Sequence, residues 1–231
     1  MGDISTTNAS TSELTSFLEE VTVEHKLARR ARVILALDAT YSRSPTWDMA
    51  ANLTASMLRE AASLGSLDVQ LAFYRGVDEV KASGWVSDPA KLTAMMTRVH
   101  CASGGTQIER ILTHAINETR RGRVNALVFI GDCAEENPDI LVSRARELGR
   151  SGVKAFMFQE GNDALAKRVF QDIATSTGGA YGAFDSGAAK QLGGLLSAIA
   201  LYAVGGVQAL EGRKDRESAL LLQQMRKFDR R

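Results

Sequence analysis

Two short, unbroken apolar runs each end on an aspartate, and that pairing constrains the fold more than any other feature of the chain. Val33-Ile34-Leu35-Ala36-Leu37 runs into Asp38, and Ala126-Leu127-Val128-Phe129-Ile130 runs into Gly131-Asp132. Side chains of a strand point to its two faces in turn, so five apolar residues without alternation require a strand covered on both sides. Sheets covered in that way lie between layers of helices.

The intervening segments supply those helices. Helical periodicity is read over 47–64, closed by Gly65, and again over 88–99, 107–119, 139–150, 164–177 and 218–231. Further strands are read over 69–74, 153–158 and 180–184, with a short edge strand at Gly84-Trp85-Val86. The alternation predicts an α/β fold: a Rossmann-like, doubly wound, mainly parallel sheet of about six strands with helices on both faces. Residues 1–31 read as a polar tail and an N-terminal helix over 12–30, residues 32–204 as the α/β domain, and 205–231 as a C-terminal helical extension.

Composition narrows the function. The 231 residues carry 28 Lys+Arg against 27 Asp+Glu, a formal charge of +1, which gives no electrostatic case for nucleic acid. Two cysteines, Cys101 and Cys133, are too few for a disulfide framework and fit a reducing, cytoplasmic setting. The N-terminus has neither a basic segment nor an apolar core and does not read as a signal peptide. Residues 192–210 lack a formal charge, but Gly193-Gly194 and Gly205-Gly206 punctuate them. The ten-residue kernel between spans only about 15 Å as a helix, so it reads as a buried closing helix and no membrane association is expected.

In an open α/β sheet, ligands bind beyond the carboxyl ends of the strands. After the first apolar run stand Asp38, Thr40 and Ser42; after the fourth strand stands Asp132; between them Ser103-Gly104-Gly105-Thr106 adds a hydroxyl on a glycine-rich turn. Two carboxylates and three hydroxyls form a hard oxygen set suited to Mg²⁺ or Mn²⁺, with Ca²⁺ not excluded. The set contains no nucleophile-and-base pair.

The pattern Asp38-x-Thr40-x-Ser42, then Thr106 after two glycines, then Asp132 closing a strand resembles the von Willebrand factor type A (vWA) domain and its metal-ion-dependent adhesion site. The resemblance covers roughly residues 32–204, with Thr40 standing where the family commonly has Ser. It implies that Ser42, Thr40 and Thr106 ligate a cation directly or through water, and that Asp38 and Asp132 act mostly through water. It further implies a non-enzymatic interaction module whose metal keeps a position open for an acidic residue of a partner protein. Tyr41, Arg43, Gly105 and Glu135 would form the partner-binding rim, Tyr41 and Arg43 as exposed contact residues, with pairing to a nearby carboxylate as the other expectation for Arg43.

Two alternatives stand beside that reading. One is a scaffold whose metal site is degenerate, starting from Thr40. The other is a phosphoryl-transfer enzyme using Asp38 as nucleophile, although Thr40 occupies the place where such enzymes need a second carboxylate. For single residues, local roles are also expected: Asp38 capping the following helix, Asp132 satisfying a loop amide, Glu136 and Asp139 flanking a helix start, Trp47 in the core, and Cys101 and Cys133 as inert thiols.

Overall fold

Along strand β1 (Ala31–Asp38), Val33, Leu35 and Leu37 join one apolar cluster and Ile34 and Ala36 join another. None of the five is more than 1% exposed. Burial on both faces is the condition that the unbroken run demands. The computed structural model describes residues 30–64, 67–185 and 189–228, so the helix expected over 12–30 falls almost wholly outside the described residues.

Five more strands complete the sheet: β2 (Leu67–Arg75), β3 (Glu79–Val86), β4 (Ala126–Gly131), β5 (Lys154–Glu160) and β6 (Ala180–Phe184). Their order is β3-β2-β1-β4-β5-β6. All neighbours are parallel except β2 and β3, which form an antiparallel hairpin. The chain order turns back between β1 and β4, which opens a crevice at the carboxyl ends of those two strands.

Helices fill both faces. On the side of Val33 and Leu35 the core holds Trp47 and Met57 of α1 (Trp47–Leu64) and Leu92 and Met96 of α2 (Pro89–Met96). The same cluster takes Leu195 and Ile199 of α6 (Ala189–Gly212) and Leu221 and Met225 of α7 (Arg216–Phe228). On the side of Ile34 and Ala36 lie α3 (Ile108–Arg121), α4 (Pro138–Arg150) and α5 (Ala164–Thr177), through residues such as Ile111, Leu141 and Phe170. Caps fix three of the starts: the side chains of Asp88, Asn137 and Asp163 accept from Ala90 N, Asp139 N and Ala166 N.

The structure departs from the sequence reading in two places. Strand β3 has eight residues, where only Gly84-Trp85-Val86 was expected. Its first five residues include Glu79, Lys81 and Ser83, with no apolar run to mark them; pairing with the buried β2 supplies the ladder instead. At the C-terminal end, helix α6 runs across the expected 204/205 boundary and has its one non-helical residue at Gly206 (φ 69°). It is long and apolar enough to cross a membrane by length and composition, yet Leu192, Leu195, Leu196 and Ile199 sit in the core.

Helix α7 also closes the outer edge of β6. Gln224 accepts from Tyr181 N through Oε1 and donates to Tyr181 O through Nε2, both at 2.8 Å. One side-chain amide thus stands in for a neighbouring strand.

Candidate functional site at the carboxyl ends of β1 and β4

Asp38 closes β1 with a side chain that is 1% exposed. Its Oδ1 accepts the amide of Thr40 at 2.8 Å, and its Oδ2 accepts the hydroxyl of Tyr74, from β2, at 2.9 Å. The chain then winds into a 3-10 turn over Tyr41–Thr46, begun by Arg43 N donating to Thr40 O at 3.0 Å. That turn brings Thr40 Oγ1 and Ser42 Oγ to 3.1 Å, so the two hydroxyls converge as the i, i+2 spacing predicts.

The glycine-rich turn is held against this segment. Thr40 forms an isolated parallel bridge with Ala102, and Ala102 N donates to Ala39 O at 3.1 Å. A Cβ on Gly104 would lie 1.9 Å from Gly76 O, so only glycine permits this approach to the β2–β3 turn. Thr106 is clamped reciprocally to the loop after β4. Its amide donates to Glu135 Oε2 at 3.0 Å, and its Oγ1 accepts from Glu135 N at 2.9 Å. Glu136, next along, accepts from Ile108 N at 2.7 Å and Glu109 N at 2.8 Å, and so caps α3. Glu136 flanks the start of α4, as expected, but the helix that it caps is α3, while α4 is capped by Asn137.

Asp132 completes the group. The strand ends that carry Asp38 and Asp132 lie side by side: a Cβ on Gly131 would sit 3.4 Å from Asp38 Cβ. Asp132 Oδ1 is buried and has no hydrogen-bond partner among the described residues. A buried acceptor without a partner costs about 1–3 kcal/mol.

Electrostatics follow from burial. Desolvation pushes the Asp38 carboxyl above its usual range; hydrogen bonds from Thr40 and Tyr74 oppose this, and the charge of Asp132 adds to it. Burial also drives the Tyr74 phenol well up, helped by the Asp38 charge, so Tyr74 stays a proton donor. Both thiols, Cys101 and Cys133, are free and half-buried, and burial raises each, in keeping with unreactive thiols.

Of the expected rim residues, Tyr41 is 70% exposed, and Gly105 and Glu135 are also at the surface, although the Glu135 carboxylate is engaged by Thr106 N. Arg43 is not a rim residue. It is 2% exposed and forms an ion pair with Glu160 at the end of β5, with its guanidinium 6.0 Å from the Phe184 ring centroid. The 3-10 turn points it inward, where desolvation lowers its pKa while the charges of Asp132 and Asp38 raise it. Trp47 is core, as expected, with Nε1 donating to Met96 O at 3.0 Å.

The sequence reading missed Tyr74, Glu160 and the role of Glu136 across the loops. Tyr74 closes the apolar run of β2 just as Asp38 closes that of β1, and this shared place at a strand end was the available signal.

No group of three or more His, Cys, Asp or Glu that could hold a metal occurs among the described residues. A cation here would therefore depend on hydroxyls. The donor set of Thr40, Ser42 and Thr106 with Asp38 and Asp132 is all oxygen, suits a hard divalent ion, and includes an acceptor that has no partner among the described residues.

Large exposed apolar side chains follow several of the strand ends. The exposed ones among the described residues are Tyr41, Val77, Ile140, Leu165 and Val207. Tyr41, Val77, Ile140 and Leu165 follow the carboxyl ends of β1, β2, β4 and β5 in that order.

No family model matches the chain, and no curated protein matches it in sequence. Solved structures match it in fold. A von Willebrand factor type A protein from Catenulispora acidiphila superposes with a TM-score of 0.60 at 17% identity, over 76% of this chain and 43% of that one. An aerotolerance-related membrane protein from Bacteroides fragilis gives 0.55 at 18% identity, over 69% and 95%. The VWA domain of SpRpn10 gives 0.56 at 10% identity, over 70% and 94%. The chain spans less than half of the first of these. The fold is that of a vWA domain, and identities this low establish the fold alone.

Proposed function

We propose that this chain is a non-enzymatic, metal-dependent protein-interaction module. Asp38, Thr40, Ser42, Thr106 and Asp132 would hold Mg²⁺ or Mn²⁺, and the partner is a protein presenting an acidic side chain. The observation that carries this reading is Asp132 Oδ1, a buried acceptor without a hydrogen-bond partner among the described residues, on the strand end next to the one that carries Asp38. When bound, the cation supplies a coordination position that a carboxylate can complete.

The chain's own residues supply the rest. Tyr74 and the Thr40 amide fix both oxygens of Asp38. The clamp with Glu135 sets Thr106, and the cap from Glu136 anchors the loop to α3. Exposed Tyr41, Val77, Ile140 and Leu165, each following the carboxyl end of a strand, suit a protein partner better than a small anion. Asp38 is a poor nucleophile here, being buried with both oxygens accepting hydrogen bonds, which weighs against phosphoryl transfer. Two free thiols go with a cytoplasmic setting.

The test is calorimetric titration of Mg²⁺ and Mn²⁺ into metal-stripped protein, beside Asp132→Ala and Thr106→Ala. Saturable binding lost in both folded variants supports the reading. Absence of binding to the wild type, with acetate present to complete the shell, overturns it. The scaffold reading has one observation in its favour: Arg43 already brings a positive charge to this site.

A further inference from the structure

Arg43 is an awkward neighbour for a cation. Its guanidinium is buried within Coulombic reach of Asp132 and Asp38, and its Nε has no hydrogen-bond partner among the described residues. A fixed positive charge there repels an incoming dication and competes with it for the same two carboxylates.

Glu160 answers that charge. It reaches Arg43 from the end of β5, two strands away from β1 across β4. Its side chain is 17% exposed, and Thr46 Oγ1 donates to its Oε2 at 2.8 Å, so the carboxylate is held in place by the turn that carries Arg43. Asp38, Asp132 and Glu160, when ionised, carry three negative charges against the one positive charge of Arg43. A divalent cation brings the group to neutrality. Without Glu160, Arg43 and the cation would together exceed the two aspartates.

We propose that the Arg43–Glu160 pair sets the cation affinity of this site, Arg43 opposing the ion and Glu160 cancelling Arg43. The proposal rests on the metal-dependent reading above. It makes Arg43 and Glu160 positioning residues with opposite electrostatic signs. A purely structural pair behaves differently, since breaking it from either side disturbs the turn and weakens binding both times.

The experiment is titration of Mg²⁺ into metal-stripped wild type, Arg43→Met, Glu160→Gln and the double variant, each checked for folding by circular dichroism and thermal melting. Arg43→Met is expected to bind about tenfold tighter and Glu160→Gln about tenfold weaker, with the double variant within about threefold of wild type. Equal weakening in both single variants, or unchanged affinity in Arg43→Met, overturns it while leaving the metal-dependent reading intact. No binding by any folded protein overturns both. Where one single variant does not fold, the other single variant against the double decides by the same signs.

Discussion

Asp38 and Tyr74 sit opposite one another in the register of β1 and β2, and the Tyr74 hydroxyl donates to Asp38 Oδ2 at 2.9 Å. The tyrosine ring is stacked on Phe129, with centroids 6.2 Å apart, so the hydroxyl is held where it is by packing. Tyr74→Phe keeps that ring and removes the donor from a buried carboxyl. The expected loss is about 1.5–3 kcal/mol of stability, read as a lower urea midpoint with an unchanged slope.

Burial raises the Asp38 pKa above its unfolded value, so the folded state holds a proton there that the unfolded chain has already released. The stability this gives is fully present below the unfolded value and is lost as pH rises through the raised folded value. In metal-free buffer, wild type should therefore lose stability relative to Asp38→Asn as pH rises from about 4 towards 7. Urea midpoints of both proteins across that range check it; a constant difference would sink the idea.

Glu136 is predicted to matter more than its surface position implies. It caps α3 by accepting from two amides, Ile108 N and Glu109 N. Glu136→Ala should cost about 1–2 kcal/mol. Hydrogen exchange should speed up first at Ile108 and Glu109.

Gly104 and Gly84 offer a matched pair. Alanine at Gly104 would drive a methyl group into Gly76 O, forcing the Thr106 loop away from the β2–β3 turn. Nothing lies within 4 Å of a Cβ at Gly84. Gly104→Ala should cost about 1–3 kcal/mol and weaken Mg²⁺ binding, whereas Gly84→Ala should stay within about 0.5 kcal/mol of wild type. Thermal melting and the same titration separate them.

The sheet was legible because its central strands are buried on both faces, and double burial leaves a short unbroken apolar run without the alternation of a half-exposed strand. Val33 to Leu37 and Ala126 to Ile130 announce both the strands and the aspartates that end them. The hairpin strand β3 was hidden because Glu79, Lys81 and Ser83 lie on an exposed edge, where pairing with β2 and not residue type decides the structure. Arg43 was placed at the surface for the opposite reason, although its pairing with a carboxylate was expected. Arginine is rarely buried unless paired, and its partner Glu160 stands far along the chain, out of reach of any local pattern. Tyr74 looked like ordinary core until β1 and β2 were placed in register.

The amide of Gln224 has a consequence for how copies of this chain can meet. By occupying both Tyr181 N and Tyr181 O, it works as an end-stop on the sheet at β6. A stray strand from a neighbouring molecule finds no free backbone pair at that position and would have to prise α7 away first. At the opposite border, β3 turns Glu79 and Lys81 outward, a charged hem that discourages fusion of two such sheets. The sheet is finished at one side by a borrowed side chain and at the other by charge, so both of its edges are poor places for a second sheet to join.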